Sequence, residues 1–316
     1  MFLLYNDLKA KSIFFRVKFR RYESEKMNDN LGKAYKSLRL MRNIEAKSIA
    51  CENLSYSQLM KFEAGKTTLT IDKLMVALNG IGTTLMDFEY AYHELEENKN
   101  STSWQIWQSF WQRNIAKLEI LIEQQNQELL KNPDDTAVFL YKMQAEAFLK
   151  QLNPRYHVSQ TDVDHLVSHL LNISQWWYVE CEILMNCAVL FSDKQLADLT
   201  NQMISPKVQV RNWEILQGKI DAALLSVIRI FIANKHFGPL REIFNYLEAH
   251  VLPDYNMYER AMFAYFKALY KFRKQSNSEH LADVERCIDA FKVLECFGLA
   301  NLAAEELERY KKESHI

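Results

Sequence analysis

The chain has 316 residues, with 39 lysines and arginines against 40 aspartates and glutamates and 48% apolar residues, so it can bury one large core or two ordinary ones. Its 7 glycines and 5 prolines are spread thinly while Leu, Ala, Glu, Lys and Gln dominate, which excludes a hairpin-rich β protein and predicts an all-α chain of two domains. The apolar stretches are periodic, and none reaches the roughly 18 uncharged residues that a membrane-crossing helix needs.

Residues 1–26 are basic and aromatic (Phe14, Phe15, Arg16, Lys18, Arg20, Arg21) and precede Met27. They lack the clean apolar core and small-residue cleavage site of a secretory signal. They are read as a floppy tail or an upstream extension before a start at Met27. The sharper alternative is a basic arm touching phosphates or anionic lipid.

From residue 27 to 96 the pattern predicts a compact domain of five short helices, at 31–41, 45–52, 55–64, 70–80 and 85–94. Gly65, Gly80 and Gly82 act as stop signals, and Thr70 is a candidate cap. Leu31, Leu38, Ile44, Ile49, Leu59, Phe62, Leu74, Leu78, Ile81 and Phe88 recur at helical spacing and form the expected core. Residues 97–103 are polar and read as a linker. From 104 to 316 long amphipathic helices alternate with breaks at Asn132-Pro133, Asn153-Pro154, Ser205-Pro206, Gly238-Pro239 and Pro253, where proline ends one helix and starts the next. That interval suits an α-solenoid of helical hairpins. Small and aromatic positions at Ala222-Ala223, 261–270 and 300–304 are tetratricopeptide-like, without a strict 34-residue consensus.

The most informative stretch is L-S-Y-S-Q-L-M-K-F-E-A-G at 54–65. Ser55 can cap a helix whose Leu59 and Phe62 face inward, leaving Tyr56, Ser57, Met60 and Lys61 outward, the arrangement a recognition helix uses in a major groove. Tyr56, Ser57 and Lys61 are the leading candidates for contact with double-stranded DNA, with Ser55 and Gln58 weaker. A surface aromatic and a solvated amide are the bland readings of Tyr56 and Gln58. Lys33, Lys36, Arg39, Arg42, Lys47, Lys61 and Lys66 outnumber Asp29, Glu45, Glu52 and Glu63 in this part of the chain, so phosphates are its expected neighbours. Ser and Tyr read bases less specifically than an Arg or Asn pair, so a dimer on two half-sites is physically attractive.

With L-G-K-A-Y-K-S-L-R at 31–39 and S-Q-L-M-K-F-E-A-G at 57–65, the N-terminal domain resembles the Cro/C1-type (XRE) helix-turn-helix. Adding the helical repeats and the late run A-F-K-V-L-E-C-F-G-L-A-N-L-A at 290–303, everything after Met27 resembles the Rgg/GadR/MutR family of bacterial regulators. The resemblance implies a cytoplasmic homodimer that binds promoter DNA and is controlled by a short signalling peptide held by the repeats. It also implies a structural ion pair between Arg39 and Glu63.

For the peptide, amide and guanidinium groups on the middle helices could pair with its backbone and its carboxyl end; Asn186, Arg211, Asn212, Arg229 and Asn234 are the candidates, with ordinary surface residues as the bland reading. The aromatic stripes Trp104, Trp107, Phe110, Trp111 and Trp176, Trp177, Tyr178 read first as interior packing, second as groove lining.

No catalytic motif appears, and no enzyme, cofactor or metal site is expected. His165 and His169 have the i, i+4 spacing of a helical metal pair but no third ligand, and read as a solvated face. Cys51, Cys181, Cys187, Cys287 and Cys296 lack framework or CxxC spacing and are expected as buried thiols in a reducing cytosol. Two other readings stand beside a regulator. One is a helical-repeat scaffold or antitoxin-like adaptor that binds DNA only for autoregulation; the other is a redox regulator using Cys51.

Overall fold

The computed structural model describes residues 24–95, 102–205, 214–249 and 256–314. Regular structure among them is helical, apart from one isolated antiparallel bridge between Cys51 and Leu54. The chain divides into two compact units between Gln105 and Ile106.

The first unit contains α1 (Ser24–Met41), α2 (Ala46–Ile49), α3 (Tyr56–Glu63), α4 (Ile71–Gly80) and α5 (Leu85–Leu95). Helix α1 packs on α3 and α5, α2 on α3, and α4 on α5. All ten expected core positions join one cluster, in which Leu31, Ile44 and Leu74 are partly buried. Tyr35, Leu54, Ala34, Ala46 and Ala77 are its other buried members.

Two helices differ from expectation in their bounds. Helix α1 begins at Ser24 instead of residue 31, so the last residues assigned to the N-terminal extension are helical; residues 1–23 lie outside the described chain. The second helix, expected over 45–52, stops at Ile49 because Ala50 is extended (φ −63°, ψ 133°). The bridge from Cys51 then turns Leu54 fully into the core. Burying a leucine contributes about 1.5–3 kcal/mol, more than one further turn of helix through Glu52 and Asn53 offers.

The second unit contains α6 (Thr102–Trp111), counted here from Ile106, then α7 (Ile115–Lys131), α8 (Thr136–Leu152), α9 (Gln160–Leu171), α10 (Tyr178–Cys187) and α11 (Asp193–Ile204). It continues with α12 (Glu214–Ala233), α13 (Leu240–Ala249), α14 (Met257–Lys274), α15 (Ser278–Val293) and α16 (Phe297–Ser314). Helices α8, α10, α12 and α14 pack side by side in that order, and the intervening helices pack against them.

The lateral hydrogen bonds along this row, and on from α14 to α16, recur at a nearly constant separation. Asn186 donates to Gln144, Ser226 to the Met185 carbonyl, Arg273 to the Ala233 carbonyl and Tyr265 to the Ala303 carbonyl, spanning 42, 41, 40 and 38 positions. The repeat is therefore about forty residues long, which explains the missing 34-residue consensus.

Ala222, Ala223, Ala268, Ala300 and Ala303 are buried where these helices meet, and their small side chains allow close approach. The helix starts at Asn114, Asp135, Ser159, Ser192 and Asn277 are capped by their own side chains, each accepting an amide N–H of the first turn. The expected breaks at Pro133, Pro154 and Pro239 fall between helices. Pro206, Pro253 and the linker core at 97–101 lie outside the described residues.

Candidate functional site

Helix α3 is fixed at both ends by local chemistry. Ser55 is its N-cap: the hydroxyl accepts the Gln58 N–H at 3.2 Å, and Gln58 Oε1 accepts the Ser55 N–H at 3.1 Å, forming a capping box. At the other end Gly65 has φ +69°, with its N–H donating to Phe62 and the Lys66 N–H to Lys61. This is a Schellman ending, which glycine permits without steric cost. Leu59 and Phe62 are buried, while Ser55, Tyr56, Ser57, Gln58, Met60 and Lys61 are exposed, Tyr56 to 48%. The structure thus brings Tyr56, Ser57 and Lys61 onto one open face. Ser55 and Gln58 spend part of their hydrogen-bonding capacity on each other.

Behind that face the helix is braced against α1. Arg39 grips Glu63 through two parallel hydrogen bonds, Nε to Oε1 at 2.6 Å and Nη2 to Oε2 at 2.7 Å, while Nη1 donates to the Ile44 carbonyl at 2.7 Å. Side-chain exposure is 9% and 1%. The hydrogen bond to Glu63 raises the Arg39 pKa against the opposing effect of burial. With every charge paired, this buried bridge fixes geometry more than it adds stability.

Sequence reading missed two further supports. Tyr35 is fully buried, its ring 5.9 Å from that of Phe62 and its hydroxyl donating to the Ala77 carbonyl at 3.1 Å; burial drives its pKa well up. Its spacing from Leu31 and Leu38 on the inward stripe of α1 was the available signal. Gly32 passes so close to α3 that a Cβ there would lie 1.9 Å from the Phe62 carbonyl oxygen.

The last helix of this unit is tied in by polar contacts. Arg42 donates to Thr83 Oγ1 at 3.0 Å, and Thr83 to Asp87 at 2.8 Å. Backbone and hydroxyl hydrogen bonds from Thr84, with that of Thr83, hold the Asp87 pKa below its usual value. Thr70 precedes α4 without a side-chain cap bond, and its side chain hydrogen-bonds Asp72 instead.

In the second unit the three described peptide candidates, Asn186, Arg229 and Asn234, each engage a different partner. Asn186 is 5% exposed, and its Nδ2 donates to Gln144 Oε1 at 2.9 Å, so its amide joins α10 to α8 instead of facing an open surface. Arg211 and Asn212 lie outside the described residues. Arg229 reaches from α12 to Glu306 on α16, Nε to Oε1 at 3.2 Å. Asn234, just past α12, donates to Asp193 Oδ1 on α11 at 2.7 Å.

The aromatic stripes divide between core and surface. Trp107, Phe110 and Trp176 are buried, Phe110 stacking on Phe148 at 4.3 Å and Trp176 donating to the Leu170 carbonyl. Trp104 and Trp177 are exposed.

Two buried carboxylates have no counterpart in the sequence reading. Burial pushes Glu146 and Glu182 up to about 7, partly opposed by Lys142 and by Lys219 respectively.

The cysteines and histidines depart from expectation in part. All five thiols are free, and Cys181 and Cys187 are buried; burial pushes Cys181 up to about 12. Cys51 and Cys296 are exposed and Cys287 is half-buried, because each falls on the outer side of its turn or helix. His165 is exposed and stacks on Phe139 at 4.6 Å, whereas His169 is partly buried and its pKa is lowered by desolvation.

A family model described as the C-terminal domain of the HTH-type transcriptional regulator Rgg matches residues 118–305. The structure of the Streptococcus dysgalactiae SHP pheromone receptor Rgg2 superposes with a TM-score of 0.71 at 23% identity, covering 90% of this chain and 99% of that one. A putative transcriptional regulator from Listeria monocytogenes EGD-e gives 0.73 at 14% identity, covering 92% and 99%. PrgX in its complex with iCF10 gives 0.65 at 15% identity, covering 91% and 98%. At these identities the structural likenesses establish the fold.

Proposed function

The chain belongs to the family of the HTH-type transcriptional regulator Rgg, whose C-terminal domain matches residues 118–305, and on that premise we propose that it is a cytoplasmic, homodimeric transcription factor controlled by a short signalling peptide. The observation that carries this reading is the capped, braced α3, which holds Tyr56, Ser57 and Lys61 on an open face. Exposed Lys36, Lys47, Lys61 and Lys66 supply the positive charge that phosphate contacts require. One such module has few base-reading groups, so two copies reading two half-sites supply the remaining affinity.

The repeat unit is the peptide receptor in this reading. The solved relatives include one named as a pheromone receptor and one complexed with iCF10. Arg229, with its side chain partly exposed, is the foremost contact, and Asn234 a second. Peptide binding then shifts the population of dimer geometries and so the spacing of the two reading helices. Among the described residues no helix is long and apolar enough to cross a membrane.

The test is genome-wide DNA occupancy by the full chain in its own cells, with and without conditioned medium. Discrete promoter sites whose occupancy or output changes with the medium are expected. Absence of specific sites would reject the regulator and favour a helical-repeat scaffold; sites indifferent to the medium would reject peptide control.

A further inference from the structure

The second unit contains a polar constellation that ties its last helix to the middle of the row. Glu306 on α16 is buried, with its side chain 4% exposed, and two guanidinium groups from different helices share its Oε1: Arg229 of α12 at 3.2 Å and Arg309 of α16 at 3.6 Å. Tyr265 of α14 donates to Glu306 Oε2 at 3.2 Å, and Tyr310 donates to Oε1 at 3.4 Å. Both oxygens are therefore occupied, and the carboxylate cannot swing outward without losing several charge-assisted hydrogen bonds.

The two arginines are less constrained on their other side. Their side chains are 35% and 58% exposed. Among the described residues Arg229 makes a single hydrogen bond, through Nε, so both of its terminal nitrogens still carry unused donors. Arg309 uses Nη2 for the Tyr310 hydroxyl, its guanidinium lying 4.9 Å from the Tyr310 ring centre. Arg273, stacked on the Tyr310 ring at 3.9 Å and paired with Glu313 at 2.7 Å, belongs to the same cluster, and Glu313 also acts on Arg309, so three guanidinium groups meet two carboxylates and leave one unit of positive charge. A further carboxylate, beside Glu306 and Glu313, would balance that charge.

The geometry points to Arg229 and Arg309 as a preorganised receptor for a carboxylate of the bound peptide, with Glu306 and Tyr265 as positioning residues beneath it; this rests on the peptide-sensing reading above. Because the receptor joins α12 to α16 through Glu306, its occupation also bears on the placement of the last helix. The ligand class is a peptide with a free C-terminal carboxylate, which a guanidinium pair holds in bidentate fashion and an amidated end cannot match.

The test uses the full chain and two pools of fluorescein-labelled octapeptides built from Leu, Ile, Val and Phe, one with free C-terminal carboxylates and one with carboxamides, followed by fluorescence polarisation. The wild-type protein is expected to bind the carboxylate pool at least tenfold more tightly. Arg229→Gln and Arg309→Gln should each erase most of that ratio, and Glu306→Gln and Tyr265→Phe should reduce it several-fold while the amide pool binds as before. A merely structural role for Glu306 would weaken both pools alike and leave the ratio unchanged. Equal binding of both pools to the wild type, or an undiminished ratio in Arg229→Gln, overturns the carboxylate receptor and leaves peptide sensing standing. Binding of neither pool overturns both.

Discussion

Tyr56 and Lys61 lie on the exposed side of α3, outside the core that Leu59 and Phe62 enter, so their truncation should separate binding from folding. Tyr56→Ala and Lys61→Ala are expected to weaken promoter binding in a mobility-shift assay with thermal unfolding nearly unchanged, and loss of Lys61 to reduce the salt slope by about one. Undiminished binding by both variants would remove this face from consideration. A different kind of residue effect is carried by Glu182, 7% exposed, whose carboxyl is raised by burial from 4.5 to about 7. Between those values the folded chain holds a proton that the unfolded chain has released, so stability is fully present below about 4.5 and is lost as pH rises through 7. The loss amounts to roughly 3 kcal/mol at the upper end. Glu182→Gln should reduce the fall of unfolding stability between pH 5 and pH 8, with Glu146 keeping its own contribution, and raise stability at pH 8; an unchanged pH profile would show that Glu182 is ionised across that range. Neither Glu182 nor Glu146 was legible beforehand, since a glutamate among apolar neighbours reads the same whether its helix turns it to water or to a facing helix.

At the scale of elements, the crossing of α1 over α3 depends on Gly32. A methyl group there would meet the Phe62 carbonyl oxygen at 1.9 Å, inside any tolerable contact, and the obstructing atom is backbone. Gly32→Ala is therefore expected to displace α3, lowering DNA affinity more than Tyr56→Ala does and lowering the unfolding midpoint as well. Normal affinity with normal stability would mean that the crossing relaxes without consequence. The ends of α3 were legible because serine at the cap and glycine at the stop have few other uses. Other turns were not: Asn43, Arg113, Lys235 and Glu295 all take left-handed φ, between 52° and 57°, without being glycine. At Arg113, Lys235 and Glu295 this costs about 1–2 kcal/mol of local strain each, offset by the packing of the flanking helices, whereas asparagine at position 43 tolerates it. The premature end of α2 has the same origin, because Leu54 gains more from the core than residues 50–52 gain from staying helical.

At the scale of the whole molecule, two separate apolar clusters, one built by α1 to α5 and one by the repeat helices, predict two cooperative units. Scanning calorimetry should resolve two transitions, and Phe62→Ala, at about 3–5 kcal/mol, should lower only one of them. A single transition that moves as a whole would show the units to be thermodynamically fused. By itself the sequence determined the helical class, the N-terminal core and the open face of α3, because helical periodicity, caps and stops act over a few neighbouring residues. Its proline breaks also marked helix boundaries in the repeats. Only the tertiary structure decided the forty-residue spacing of the lateral contacts, the burial of Asn186 against Gln144, and the gathering of Arg229, Tyr265, Glu306 and Arg309 from α12, α14 and α16. Apart from Glu306 and Arg309, three positions apart on α16, these pairings join residues some forty to eighty positions apart, and no local pattern can specify which polar side chain a distant helix will meet once the apolar stripes have brought the two together.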